Sequence, residues 1–357
     1  MLPQVYRLCL CFTFLWCLNL CLRAQEDSVL VFNEIMYHPA DGQGEWVELV
    51  NLHGVNIDVS NWEIEGAISY QFPVGSVIPG NGYSVLASAE GQFPDALGLF
   101  QGRLDDDGER LRLVNNSGRS MSELSYNDRG EWPVAPDGAG VSLAKRRPQD
   151  RASDPASWAR SETIGGTPGT ANVVREEASS GLLLNEVAGI GGAGFFVEIA
   201  RCPCPDPLPD NILPLEGYEI HTSRGESFVL TDQALIAGGM LALTAEELGW
   251  ENLQQGDRLF LWAPGGEDLL DAAVLRQRTR ARFPDGDRWY IATSISPGEA
   301  NQVALESAVV INEIMYHHRP TYEGETPGAV FSENPEEWVE VTNRSEAAVD
   351  LTGWSLE

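Results

Sequence analysis

The chain has 357 residues, 43% apolar and 21% charged, enough for two or three domains with cores of their own. Lys and Arg total 23 against 53 Asp and Glu, a net charge of −30 that is repelled by phosphate backbones and anionic lipid surfaces and argues against nucleic acid as a direct partner. With 36 glycines, 21 prolines and one long apolar run, the sequence excludes collagen, coiled coils and polytopic membrane proteins, and favours short strands joined by many turns.

The apolar run comes first. Arg7 precedes the uncharged stretch Leu8–Leu22, and Ala24 offers a small residue for cleavage. Its 15 residues fall short of the roughly 20 that span a bilayer as a helix. Residues 1–24 therefore read as a secretory signal peptide, which predicts a secreted or cell-surface protein with no membrane span after its removal. An uncleaved anchor is the alternative, since Leu22 is a poor residue two places before Ala24. Cleavage takes Arg7, Arg23 and four of the six cysteines, leaving a mature charge of −32. The remaining pair, Cys202 and Cys204, sits in a proline-rich stretch without a nearby His, which reads as an irregular loop and not as a metal or redox site.

Beyond the leader the chain repeats itself three times. Asn33-Glu34-Ile35-Met36 returns as Asn185-Glu186-Val187 and as Asn312-Glu313-Ile314-Met315. Each is followed by a second echo: Trp46-Val47-Glu48, then Phe196-Val197-Glu198, then Trp338-Val339-Glu340. A third echo carries Trp62, Tyr218 and Trp354. Two units also end alike, in Thr167-Pro168-Gly169-Thr170-Ala171-Asn172 and Ser296-Pro297-Gly298-Glu299-Ala300-Asn301. The spacings, 152 residues from Asn33 to Asn185 and 127 from Asn185 to Asn312, are far too long for a solenoid and fit whole domains. This predicts a first unit over 25–173, a linker over 174–180, a second unit over 181–302, a linker over 303–307, and the N-terminal part of a third unit over 308–357. The units are expected to be independent beads.

Within a unit the segments are four to eight residues long, rich in branched and aromatic residues, and bounded by Gly, Pro, Asn and Asp. They read as strands of a β-sandwich or barrel, with one short helical turn at 244–248. The ordered echoes resemble the lamin-tail domain, an immunoglobulin-like β-sandwich found at the end of nuclear lamins and repeated in secreted bacterial proteins. Val31–Met36, Glu45–Asn51 and Ile57–Ile64 carry the resemblance in the first unit. In the third it rests on Val310–Met315, Glu337–Asn343 and Val349–Leu356. The second unit departs from the pattern, with Phe195 for the acid, Phe196 and Tyr218 for the tryptophans and Arg201 for the asparagine. The resemblance implies an all-β chain of tandem immunoglobulin-like sandwiches, the third incomplete, acting as binding or scaffolding modules without catalytic residues. Secreted bacterial relatives also carry such modules beside a spore-coat-protein-H-like kinase, a nuclease or a phosphoesterase, so the N-terminal region of a larger secreted enzyme is the alternative.

The aromatic echoes Trp46, Trp62, Phe196, Tyr218, Trp338 and Trp354 read as core anchors between sheets. The acids Glu34, Glu48, Glu186, Glu198, Glu313 and Glu340 could serve acid–base catalysis or hold Ca²⁺, but no His, Lys or Arg recurs with them in all three units. A framework role, accepting backbone N–H bonds at strand ends, fits their repetition better. Asp105, Asp106, Asp107 and Glu109 form the one acidic turn that invites a Ca²⁺ reading. It lacks the alternation of an EF-hand loop and reads first as a solvated hairpin tip. His38 and His317 recur without a match in the second unit. Gly189–Gly194 fits a nucleotide-binding glycine pattern, yet a strand follows it where a helix is required. The loop 319–336, with Tyr322 and Phe331, is the longest and the preferred contact loop. Basic islands at 145–147 and 276–282 could meet a glycan, a phosphate or an acidic neighbour, though they read first as solvated strand faces. The expected partner is an extracellular protein or glycan, and no cofactor is required, Ca²⁺ being the one candidate.

Overall fold

Leu30–Met36 is apolar on both faces apart from Asn33 and Glu34, so both faces need covering, and a central strand provides that. The computed structural model, which describes residues 28–40, 43–176, 181–190, 194–201, 212–305, 307–315, 321–322, 331–332, 337–352 and 354, buries this strand at every position. Around it a seven-stranded sheet runs in the order Val174–Arg175, Trp158–Ile164, Val141–Lys145, Leu30–Met36, Trp46–Asn51, Tyr83–Ala87, Gly98–Leu99. Only the last pairing is parallel. A second sheet, Ser120–Asn127, Gly108–Val114, Glu63–Glu65, Ile68–Gln71, Gln101–Gly102, closes the sandwich. Leu30, Phe32, Ile35, Val47 and Leu49 meet Ile64, Ile68, Leu111, Leu113 and Leu124 in the core between them.

The second unit repeats this plan. Met240–Thr244, Phe196–Arg201, Leu182–Val187, Arg280–Phe283 and Arg288–Ile291 form one sheet, and Ser227–Val229, Glu219–Thr222, Arg258–Trp262 and Leu269–Val274 the other. The echoed strands occupy equivalent places in both units, so the fold is all-β and immunoglobulin-like twice over. The helical turn is Ala245–Leu248, started by a Thr244–Glu247 capping box and stopped by Gly249 at φ 67°. In the third unit Val309–Met315 pairs with Trp338–Asn343 as a ribbon whose residues are mostly exposed.

Two boundary expectations change. Val174–Arg175 pairs with Trp158–Ile164, so the stretch expected to open a linker at 174 begins as an edge strand. The first two units are also not independent beads. Ala135, Ala139 and Val141 of the first pack with Phe260, Trp262, Leu269 and Ala272 of the second. The strand Arg258–Trp262 explains this, because Leu259 and Leu261 point into their own core while Phe260 and Trp262 point at the neighbour. Polar contacts flank the apolar seam: Arg160 Nη2 donates to the Leu269 carbonyl at 2.6 Å, and Arg258 Nη2 lies 2.9 Å from Asp128 Oδ2 and also pairs with Asp137.

The signal segment 1–24, Cys202, Cys204 and His317 lie outside the described residues, as do most of the 319–336 loop and residues 191–193 of the glycine-rich stretch. Among the described residues no helix is long and apolar enough to cross a membrane.

Candidate functional site

The recurring acids share one geometry. In each unit the first two echoed strands pair antiparallel, and the register slips by one residue at the asparagine: between Phe32 and Glu34, between Leu184 and Glu186, and between Ile311 and Glu313. This is a β-bulge repeated three times. It sets Glu34 opposite Glu48, Glu186 opposite Glu198 and Glu313 opposite Glu340. Like charges facing each other across a ladder repel, so such a pair needs donors or a proton.

The donors come from far along the chain. Asn33 Nδ2 donates to Glu48 Oε1 at 2.7 Å and to Asn172 Oδ1 at 2.7 Å. The Thr167 N–H and hydroxyl donate to the two Glu34 oxygens at 2.9 and 2.8 Å, and Ser142 adds its hydroxyl. The Gly169 N–H donates to Glu48 Oε2 at 2.6 Å. Asn172 Nδ2 then donates to the carbonyls of Asn33 and Lys145 at 3.0 and 2.9 Å, tying the return segment to the bulge.

The second unit builds the same clasp. Asn185 Nδ2 donates to Glu198 at 2.9 Å, the Gly298 N–H donates to Glu198 at 2.6 Å, and Ser296 donates its N–H and hydroxyl to Glu186 at 3.1 Å. Asn301 Nδ2 donates to the carbonyls of Asn185 and Arg282. In the third unit Asn312 donates to Glu340, and both acids of the pair are exposed.

Glu34, Glu48, Glu186 and Glu198 are 0% exposed. Burial raises the Glu48 carboxyl to about 8, the neighbouring Glu34 charge adds to the rise, and the Asn33 and Gly169 donors oppose it. Burial likewise raises Glu34, Glu186 and Glu198 against the pull of their Ser, Thr, Asn and backbone donors. In the first two units the oxygens of both carboxylates are engaged by hydroxyl and amide donors. What the arrangement does is fasten the end of a unit onto its start.

A raised native value has a sign. Between about 4.5 and 8 the folded state holds the Glu48 proton that the unfolded chain releases, so this group's contribution to stability is full below 4.5 and declines as pH rises toward 8. Glu48→Gln is expected to flatten the fall in urea midpoint between pH 5 and 8. A slope identical to that of the parent protein would show that Glu48 does not titrate there.

The aromatic echoes divide. Trp62, 7% exposed, sits in the sandwich core, with Tyr218 packed half-buried against the second core. Trp46 and Phe196 are buried, but the expectation that they plug the space between sheets is corrected. Val47 and Leu49 take the inner face, and Trp46 lies on the outer one with Met36, Val85 and Phe93, its ring edge-on to Phe93 at 5.9 Å. Trp338 and Trp354 are 42% and 50% exposed, because the described part of the third unit is a two-stranded ribbon with no sheet packed against it.

Asp105, Asp106, Asp107 and Glu109 do not converge. Asp105 accepts the Asp107 N–H, Asp106 pairs with Arg103, and Glu109 turns inward to accept the Ala67 N–H at 2.9 Å and the Tyr126 hydroxyl at 3.2 Å. Among the described residues no group of three or more His, Cys, Asp or Glu could hold a metal ion. His38 is engaged at the seam, its Nδ1 2.6 Å from Asp137 Oδ1, and this hydrogen bond raises its pKa. Arg282, read from sequence as part of a solvated basic face, is buried. It pairs with the fully buried Asp271 at 3.0 Å and lies over the Trp289 ring at 4.6 Å. Sequence inspection also missed Ser142, Asn172 and Asn301 as clasp members, although the Thr/Ser-Pro-Gly-x-Ala-Asn echo marked the segment.

Residues 23–128 match the model of the Lamin Tail Domain family. The first unit contains a lamin tail domain. No curated protein matches the chain. The matched part of the lamin tail domain supplies both glutamates and the whole five-stranded sheet, while the strands Val141–Lys145 and Trp158–Ile164 and the clasp residues Ser142, Thr167, Gly169 and Asn172 lie beyond it. The lamin tail domain of this chain is thus closed by about 45 further residues, which wrap back over its paired acids.

Proposed function

We propose that the chain is an exported, non-catalytic array of lamin-tail modules that serves in extracellular binding or scaffolding. The observation that supports this most is the sealing of the recurring acids of the first two units under return segments, which commits them to the framework. The apolar seam between those units suits a stiff spacer better than a flexible string. A second reading, the binding region of a larger secreted enzyme, is favoured by the exposed Ile311, Ile314, Val339 and Val341, which share one apolar face of the ribbon.

The test is expression of the tagged chain with its leader, followed by N-terminal sequencing of the material outside the cell and thermal melting with and without Ca²⁺. The expected product begins after Ala24 and melts at the same temperature in both conditions. Retention inside the cell would contradict export. A Ca²⁺-dependent rise in melting temperature that is lost on changing Asp105 and Asp107 to Asn would favour a Ca²⁺-stabilised surface protein instead.

A further inference from the structure

An open cleft of about 490 Å³ lies where the first two units meet, and its chemistry runs against the charge of the whole molecule. Arg146, Arg160 and Arg175 from the first unit and Arg288 from the second line it, together with Trp132 and Trp158. Arg160 is fully buried, so Arg146, Arg175 and Arg288 are the cations whose side chains reach the open cleft. We propose that this cleft binds the carboxylate of an acidic saccharide, a uronate residue of a glycan. This goes beyond the scaffold reading and does not depend on export.

The cleft is built on fixed parts. Arg160 is fully buried and anchored through the Leu269 carbonyl. Arg146 Nε donates to the Ala156 carbonyl at 3.1 Å, which fixes the start of its fork. Trp158 is fully buried, its indole N–H donating to the Ala152 carbonyl at 2.8 Å, and it backs the half-buried Trp132 at 6.4 Å between ring centroids. Trp132 therefore presents a braced aromatic face.

Three acids, Glu131, Asp154 and Glu176, line the cleft with the arginines. Asp154 caps the Pro155–Ser157 turn by accepting the Ala156 N–H, and Glu131 is exposed. Glu176 pairs with Arg146, and Asp268 pairs with Arg175 from outside the lining, but both carboxylates are well exposed. The exposed ends of these pairs are the Glu176 and Asp268 carboxylates, and an incoming carboxylate would compete with them for the two arginines. Arg288 is exposed at the cleft and forms no ion pair among the described residues.

Guanidinium forks match a carboxylate in two parallel hydrogen bonds, and an aromatic face covers the apolar C–H side of a sugar ring. The volume lies within the range of small-ligand sites and suits one or two sugar rings. An acidic peptide would satisfy the arginines equally but gives no reason for the tryptophan face beside them.

The experiment is calorimetric titration of the full chain with digalacturonate, with its methyl ester, and with a short poly-glutamate peptide. Saturable binding of digalacturonate is expected, with the ester about tenfold weaker or undetectable, since hydrogen bonds to a charged group are lost. Arg288→Gln and Trp132→Ala should each weaken it about tenfold while leaving the melting temperature of the second unit in place. Higher salt should weaken binding as well. Absence of binding, equal binding of acid and ester, tighter binding of the peptide, or full affinity in both variants would each overturn the proposal.

Discussion

Trp62→Ala is expected to lower the stability of the first unit by about 3–5 kcal/mol, the usual consequence of emptying a large aromatic site in a packed core. Trp62 is buried between the sheets, and its backbone exchanges hydrogen bonds with Phe72 and Val59 at 2.9 and 3.0 Å. The turn before it places Asn61 at φ 60°, so the loop cannot slide to refill the void without giving up that conformation. Urea unfolding of the first unit, followed by tryptophan fluorescence, measures the change. An unchanged midpoint would remove Trp62 from the core. The same truncation at Trp338, which is largely exposed, should fall within about 0.5 kcal/mol.

The second large effect is expected at a glycine. Gly166 sits at φ 77°, and an added Cβ would lie 2.7 Å from Glu34 Oε1, 2.7 Å from Trp46 Cζ2 and 2.8 Å from Ser142 Oγ. The clasp closes over the acid pair only because nothing projects there. Gly165, next to it, has φ 85° with open space around its missing Cβ. Gly165→Ala should therefore cost about 1–2 kcal/mol, the left-handed backbone penalty alone. Gly166→Ala should cost upward of about 3 kcal/mol, because backbone strain and a buried clash add. Thermal melts of the two variants side by side isolate the clash. Equal losses would mean that the return segment does not rest on Glu34 and Trp46.

Much of this architecture is legible in the sequence, and the reasons are local. Ordered echoes of short apolar runs between turn residues suffice to read strands, and three returns of Asn-Glu-Ile and Trp-Val-Glu suffice to read repeated units. Trp62 reads as a core anchor from its size and its place in a repeated strand, and Glu48 as a framework acid because no His, Lys or Arg recurs with it in all three units. The side of the sheet taken by Trp46 was not legible. Its strand is buried on both faces, so the alternation that would separate inside from outside is absent, and the bulge at Asn33 shifts the neighbouring strand by one. The seam at Phe260 and Trp262 was hidden for the same reason, since apolar residues on two faces of one strand read simply as core. Arg282 lies in a basic run that reads as solvated until its partner, Asp271, is brought beside it by another strand. Long-range pairing is what a linear pattern does not carry.

The clasp itself can be measured by double-mutant cycles, one in each of the first two units. Glu34→Gln combined with Thr167→Val, and Glu186→Gln combined with Ser296→Ala, should each show a coupling energy of about 1–2 kcal/mol of the same sign, as expected for hydrogen bonds to a buried acid. Single substitutions that add to within about 0.5 kcal/mol in both units would contradict the claim that these glutamates hold the return segments in place.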